Sequence, residues 1–393
     1  VNPYAPALAR LNPHGVARWR TGHPWIYRNG VAYVEEETGR EALVRVEDPQ
    51  GRFLGQALLS RESQISLRIL TRDTAPVDRA FFRDRLNRAL GFRERVLPGR
   101  EALRLVFGES DGLPGLVVDR YGSHLVLQSL AWGMDALQPE IASLLVEIAS
   151  PRSILARNDP SVRGLEGLER KVLDLHGETP ETVSYHEGGI TLTADLRTGQ
   201  KTGAFLDQVE NHLLAGRLAR GRVLDVFTYT GGFALAAAGS AEEVVALDSS
   251  GPALARARRH AERNGIRNVR FEEANAFDFL KAEDRAGSAY DMVILDPPAF
   301  AKNKRELESA LRGYKEINLR AMKLLRPGGV LISCSCSYHL SETRMDDVLA
   351  RAAADTHRSL RVLERRGQAP DHPVRVGFPE SFYLKCQVLE TLT

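Results

Sequence analysis

A chain of 393 residues with 43% hydrophobic and 26% charged content has the composition of a soluble globular protein and is too long for one ordinary domain. Its net charge of +2 argues for no partner by itself, and no apolar run is long enough to span a bilayer. Three cysteines exclude a disulfide framework, and the N-terminal stretch lacks the apolar core of a signal peptide, so a cytoplasmic protein is expected.

Residues 1–74 read as short strands and turns with one helix at most. The stretch "ALVRVEDPQGRFLGQALLS" alternates apolar and polar residues and turns at "DPQG", as a hairpin does, and "ISLRIL" continues the pattern. A small β-rich barrel or sandwich is expected. Trp25 and Tyr27 in "GHPWIYRNGV" are either core aromatics or part of a binding face. An exposed sheet here could pair with itself, which would make a homodimer.

Residues 75–189 read as a middle α+β module that shapes a cleft. Asp78 is placed to cap a helix carrying Phe81, Phe82, Leu86 and Leu90 on one face. Two strand signals surround the Gly/Asp/Pro turns of "ALRLVFGESDGLPGLVVDRYGSHLVLQSL", a helix is expected from Met134 to about Ala149, and strands follow near "RSILARND" and "GGITLTADL". Arginine clusters such as "RAFFRDRLNRALGFRERVLPGR" and "RARRHAER" permit phosphate contact, although each alone reads first as a solvated helix face.

From residue 190 to 393 the pattern becomes alternating β and α, the signature of a parallel sheet covered on both faces. Five strand candidates are followed by a final stretch that reads as an antiparallel edge hairpin. Ligands bind such sheets at the carboxyl ends of the strands, near the switch point. The first strand ends in "DVFTYTGGFALAAA", where Gly231 and Gly232 leave room for close approach to the backbone. Asp248 in "VVALDSS" ends the second and can accept from two ribose hydroxyls. Residues Asn275 to Asp278 in "EANAFDFL" follow the third and could border an adenine, and "VILDPPAF" closes the fourth. The fingerprint G-x-G-x-x-G is absent, which disfavours a nicotinamide enzyme.

This combination resembles class I S-adenosylmethionine-dependent methyltransferases. More specifically, "KTGAFLDQVENH", "DPPAFAKNKRELESALRGYKEINLRAMKLLRPGG" and "CSCSYH" resemble the ribosomal RNA large-subunit methyltransferase I family. "GHPWIYRNGV" and the V-x-D-x-x-G-x-F-L-G-x-A pattern of Val46 to Ala57 are similar to a PUA domain, an RNA-binding pseudo-barrel. The resemblance spans the whole chain. It implies a PUA-like domain over 1–74, a middle module over 75–189 and a Rossmann-like methyltransferase domain over 190–393. It implies S-adenosylmethionine as cofactor, held by Gln208, Asp225, Phe227, Tyr229, Gly231, Gly232, Asp248, Ser249, Asn275, Ala276 and Asp296. The implied reaction is methylation of cytosine carbon 5 in large-subunit (23S) ribosomal RNA. The chain departs from its relatives at Asn275, where Asp is common, and at Val209 and His212, where Arg is common.

Cys334 and Cys336 in "LISCSCSYHL" allow three readings. C-x-C-x-x-H with His339 resembles half a zinc site, but no second pair exists and Cys386 lies alone in an edge strand, so no metal is expected. One of the two is expected only to pack. The other suits covalent catalysis: a thiolate added to cytosine carbon 6 makes carbon 5 nucleophilic. Both precede a serine, but the spacing to Glu342 favours Cys336. Asp296 of the DPP motif is the second catalytic candidate, hydrogen-bonding the N3/N4 edge. Ala299 stands where some RNA 5-methylcytosine methyltransferases carry another cysteine. Asp296, Lys302 or a water are the candidates for removing the carbon-5 proton. Methylation of a guanine nitrogen, which would need no cysteine, and a non-catalytic RNA-binding assembly factor are the alternatives.

Overall fold

Apolar alternation in the N-terminal segment builds the expected hairpin: Leu43–Glu47 pairs antiparallel with Phe53–Leu59. Asp48 holds the turn, its Oδ1 accepting from the backbone N–H groups of Gln50 and Arg52, each at 2.9 Å. Both strands lie in a six-stranded sheet ordered Trp25–Tyr27, Ile65–Thr71, Phe53–Leu59, Leu43–Glu47, Ala7–Leu11, Val31–Val34. Ile26 is buried in the barrel core, whereas Trp25 and Tyr27 on either side are only half-buried. The two rings are therefore not core residues. These features come from a computed structural model that describes residues 7–35, 42–300 and 304–392; Lys302 lies outside the described residues.

The middle module is a five-stranded sheet ordered Lys171–His176, Ser153–Asn158, His124–Ser129, Leu116–Tyr121, Ala102–Phe107. Asp78 caps the helix Arg79–Val96 by accepting from Phe81 N at 3.0 Å, and Phe82 and Leu86 are buried in the module's core. The helix expected from Met134 is broken at Leu137 into Trp132–Ala136 and Gln138–Ala149. Pro139 explains the break, since it has no N–H to give and its ring crowds the preceding turn. The strands Lys171–His176 and Thr182–Glu187 have no sequence signal of their own, because their residues are largely polar and exposed.

The chain forms two compact units: Val1–Tyr185, Thr193–Leu206 and Pro370–Ser381 in one, and His186–Leu192, Asp207–Ala369 and Phe382–Thr393 in the other. The second unit contains a seven-stranded sheet of β1 (Arg222–Val226), β2 (Glu243–Asp248), β3 (Val269–Glu273), β4 (Tyr290–Leu295), β5 (Leu325–Ser335), β6 (Leu360–Arg366) and β7 (Lys385–Thr391), in the order β3-β2-β1-β4-β5-β7-β6. The first five strands run parallel, and β7 is antiparallel to both β5 and β6. Its helices are α1 (Val209–Leu218), α2 (Gly232–Ala238), α3 (Gly251–Arg263), α4 (Ala276–Ala286), α5 (Leu307–Leu324) and α6 (Glu342–Thr356).

Alternate strand residues enter two separate cores. Leu224, Val226, Val293 and Leu295 pack with α5 and α6, while Val223, Met292, Ile294 and Cys334 pack with α1 and α2. A central sheet buried on both faces is what near-continuous apolar strands require. Cys386 is not on the edge strand. Because β7 inserts between β5 and β6, it sits directly opposite Cys334. Among the described residues no helix is long and apolar enough to cross a membrane.

Candidate active site

The order of the sheet reverses between β1 and β4, and the acidic strand ends gather there. Asp225, near the end of β1, is fully buried. Its Oδ2 accepts from Thr228 Oγ1 at 2.5 Å, while its Oδ1 is buried without a partner. Burial pushes this carboxyl up to about 7, and the nearby charge of Asp296 adds to the shift. Beyond it the backbone is strained: Phe227 and Tyr229 take φ of 70° and 50°, in the left-handed region that side chains disfavour. That conformation directs Tyr229 N to Asp248 Oδ2 at 2.9 Å, and Asp248 Oδ1 accepts from Ser250 N at 2.9 Å. Asp248 remains half-buried, and Ser249 is exposed.

Gly231, at φ 92°, precedes α2. The space beside Gly232 is taken by protein: a Cβ there would collide with the imidazole of His212. His212 Nδ1 hydrogen-bonds Glu187 Oε1 at 2.6 Å, and its ring meets Phe233 edge-on at 4.5 Å. Burial lowers the pKa of His212, but Glu187, Asp296 and Asp225 together raise it above the ordinary value. The sequence reading missed Glu187, which lies on the hairpin preceding α1.

Asn275 caps α4, its Oδ1 accepting from Phe277 N at 2.9 Å and Asp278 N at 3.3 Å. An Asp in this position could do the same, so this departure keeps the cap. Ala276 is buried in the core beneath it. An aromatic wall stands nearby: Phe300, four residues past Asp296, lies 4.7 Å from Tyr314, 6.1 Å from Phe277 and 6.5 Å from Phe227 between ring centroids. Gln208 is buried, its Oε1 accepting from Asn211 Nδ2 at 2.7 Å. It also hydrogen-bonds Cys334, so its amide serves the core rather than an open strand edge.

The two cysteines occupy different environments. Cys334 is fully buried, and its hydrogen bond with Cys386 together with burial holds the thiol well above its usual pKa. Cys336 lies one residue beyond β5 and is half-exposed. The turn carrying it is tied down on both sides. Ser335 Oγ donates to Tyr314 Oη at 2.9 Å, and Tyr314 Oη and Ser337 Oγ are 3.1 Å apart. Lys385, at the start of β7, donates from Nζ to Ser337 O at 2.8 Å and to Tyr383 O at 2.9 Å. Burial lowers this ammonium to about 8, against the opposing charges of Cys336 and Glu342. Like Glu187, it was missed from the sequence. Among the described residues no three His, Cys, Asp or Glu side chains converge as a metal site requires.

A half-buried acid at the end of β2, an orphaned carboxylate oxygen at β1 and a strained loop between them suit a cationic ligand with hydroxyl groups. The sheet order and this strand-end site are those of an S-adenosylmethionine-dependent methyltransferase. A family profile so described matches residues 169–379, and a PUA-like domain profile matches 9–72. The structure of SMU.776 complexed with SAH superposes with a TM-score of 0.83, covering 98% of this chain and 99% of that one at 21% identity. "Ribosomal RNA large subunit methyltransferase I" of Tolumonas auensis is 39% identical over 379 residues, covering 94% of this chain and 96% of the relative. Its counterpart in Shewanella amazonensis is 41% identical over 371 residues, with 92% and 94% covered. The chain belongs to the ribosomal RNA large subunit methyltransferase I family.

Proposed function

We propose that this enzyme methylates carbon 5 of a cytosine in large-subunit ribosomal RNA in the cytoplasm, with Cys336 as nucleophile. The observation that carries the reading is the contrast between the two cysteines. Cys334 is sealed in the core against Cys386, whereas Cys336 is half-exposed at the carboxyl end of the strand adjoining β4 and Asp296.

The Cys336 thiolate adds to carbon 6 of the cytosine, and the electrons of the C5=C6 bond move to carbon 5. Asp296 hydrogen-bonds the N3/N4 edge as charge develops on the ring. S-adenosylmethionine supplies an electrophilic methyl group when bound. Carbon 5 would take that methyl as the methyl–sulfur bond breaks, its electron pair leaving on the sulfur, and would then lose its proton to a base. The returning electrons rebuild the double bond and expel the thiolate. Lys385 supports the thiolate electrostatically in both its appearances, and the Tyr314 hydroxyl holds the turn that presents it.

Asp225 and Asp248, the Phe227–Gly232 loop with Ser249, and Asn275 with Ala276 are assigned to the cofactor. The fit rests on the orphaned Asp225 oxygen and the half-buried Asp248. Gln208 is assigned to the same pocket only through its support of the β5 core.

The test is methyl transfer from labelled S-adenosylmethionine to unmodified large-subunit rRNA, with the product base identified by mass spectrometry. Label in 5-methylcytosine that is lost in Cys336→Ala and kept in Cys334→Ala is expected. Label in a guanine, or full activity in Cys336→Ala, would overturn the covalent mechanism.

A further inference from the structure

Within the first unit, a cavity of about 520 Å³ lies between the end of the strand Ile65–Thr71, the helix Arg79–Val96, the turn Gly108–Asp111 and residues 373–375. That volume falls in the range of small-molecule sites and is large enough for a nucleotide rather than a single ion. Its walls carry Arg72, Arg85, Arg88 and Arg375.

These positive charges are poorly matched. Of the carboxylates in the wall, Glu109 accepts from Trp25 Nε1 at 2.7 Å and pairs with Arg68 at 3.7 Å. Asp111 pairs with the buried Arg93 at 2.6 Å. Arg88 pairs with Asp84 along its own helix at 2.9 Å. Arg85 feels Asp84 and Asp73, and Arg375 feels Glu109, but the guanidinium groups of Arg72, Arg85 and Arg375 donate to carbonyls: Trp19 O, Leu70 O and Glu109 O respectively. None of the three has an ion pair among the described residues.

Arg85 and Arg375 are half-buried. Burial lowers the pKa of both; Arg88 and Arg375 repel Arg85 against the pull of Asp84 and Asp73, and Arg72 repels Arg375 against the pull of Glu109. Clustering like charges while desolvating them is unfavourable unless an anion enters. The Ser110 hydroxyl on the wall is buried and has no partner. Gly112, at φ 69°, lies where any Cβ would collide with the Arg85 guanidinium.

We propose that this cavity binds the phosphodiester backbone of the RNA substrate, with Arg72, Arg85 and Arg375 clamping phosphate oxygens. The inference rests on the ribosomal RNA reading above and extends it to a site in the other unit. Arginine suits the role, since its planar fork meets phosphate oxygens in pairs.

The test is fluorescence anisotropy with an unmodified large-subunit rRNA fragment over a range of salt, using the full chain. Arg85→Gln/Arg375→Gln is expected to bind about tenfold more weakly, with its salt slope reduced by about 1.5. Arg85→Lys/Arg375→Lys is expected to keep most of the slope. Arg79→Gln, which removes a charge already paired with Glu140 and Glu147 on the same helix, is expected to change neither quantity. Affinity for S-adenosylhomocysteine should be unaffected, which controls for folding. If the double variant does not melt cooperatively, Arg85→Gln alone is used, with an expected slope loss of about 0.7.

An unchanged slope in the glutamine variant overturns the proposal. So does stabilisation of the wild type alone by millimolar inorganic phosphate with equal RNA affinity in both, which would mark a small-anion site. Because the readout is binding, a chain that grips RNA through these arginines but methylates no cytosine upholds this proposal and overturns the mechanism above.

Discussion

Lys385 Nζ hydrogen-bonds the carbonyl oxygen of Ser337 at 2.8 Å, so the only buried ammonium in the neighbourhood of Cys336 is fastened to the residue that follows it in the chain, among the described residues. One contact thus fixes both the charge and the turn. Lys385→Met keeps the bulk and removes the charge, which should shift the pH profile of Cys336 alkylation by iodoacetamide to higher pH. At neutral pH the rate should fall about tenfold for each unit of that shift. In the wild type the support fades as pH rises through about 8, where Lys385 loses its proton. An alkylation profile identical in Lys385→Met would remove Lys385 from the mechanism.

Asp225 gives a stability prediction whose sign follows from its raised pKa. Its carboxyl titrates near 7 in the folded chain and near 3.9 when unfolded. Between those values the folded state holds the extra proton, so its contribution to stability falls as pH rises from about 4 to about 7. Above 7 the buried charge exerts its full cost. Asp225→Asn, which keeps an acceptor for Thr228, should therefore raise the melting temperature of the cofactor-free enzyme at pH 8 and do so much less at pH 5. Equal differences at both pH values would show that the carboxyl is already ionised in the folded chain at pH 5.

Gly232→Ala should destabilise the enzyme by about 2 kcal/mol through overpacking against His212 and weaken S-adenosylmethionine binding. In a His212→Ser background the same change meets open space, so its cost should shrink. A double-mutant cycle by chemical denaturation should give a coupling of about 1 kcal/mol. Additive effects would mean that the strain lies elsewhere in the loop.

Tyr314→Phe removes the hydroxyl that joins Ser335 and Ser337. Both serines are buried, and leaving them without this partner should cost about 1–2 kcal/mol. Because the Cys336 turn loosens, turnover should fall further than cofactor affinity does. Paired measurements of kcat and S-adenosylhomocysteine binding check this.

How much of this was legible in the sequence depended on distance along the chain. Asp225, Asp248 and Asp296 could be found because a parallel sheet presents the ends of successive strands on one edge, so strand position alone locates them. Phe300 could have been added, since it lies two positions past the DPP motif. Glu187 and Lys385 were out of reach. Each meets its partner through tertiary packing, the one from an inward position of a hairpin strand whose other inward positions are apolar and the other from a strand 49 positions after Cys336. The register of β7 was hidden for a similar reason: a hairpin pattern does not say which of its strands is the inner one, and Cys386 was assigned to the wrong one. In "RAFFRDRLNRALGFRERVLPGR", the helical face explained Phe82 and Leu86. It gave no sign that Arg93 would be buried with Asp111 and the Asp371 carbonyl as its partners.

That last pairing has a consequence for how the molecule is made. Arg93 donates to Asp371 O at 2.7 Å, and Arg104 N donates to Asp371 Oδ2 at 2.8 Å, across 278 and 267 positions of chain. During vectorial synthesis the first unit waits, with a buried guanidinium short of an acceptor, until residue 371 has emerged. A nascent chain arrested before residue 370 should therefore be readily cleaved by protease near the helix Arg79–Val96, and one released after residue 381 should be resistant. Completion of the first unit is in this way a checkpoint set by residues 370–381, which are translated only after β6 of the second unit.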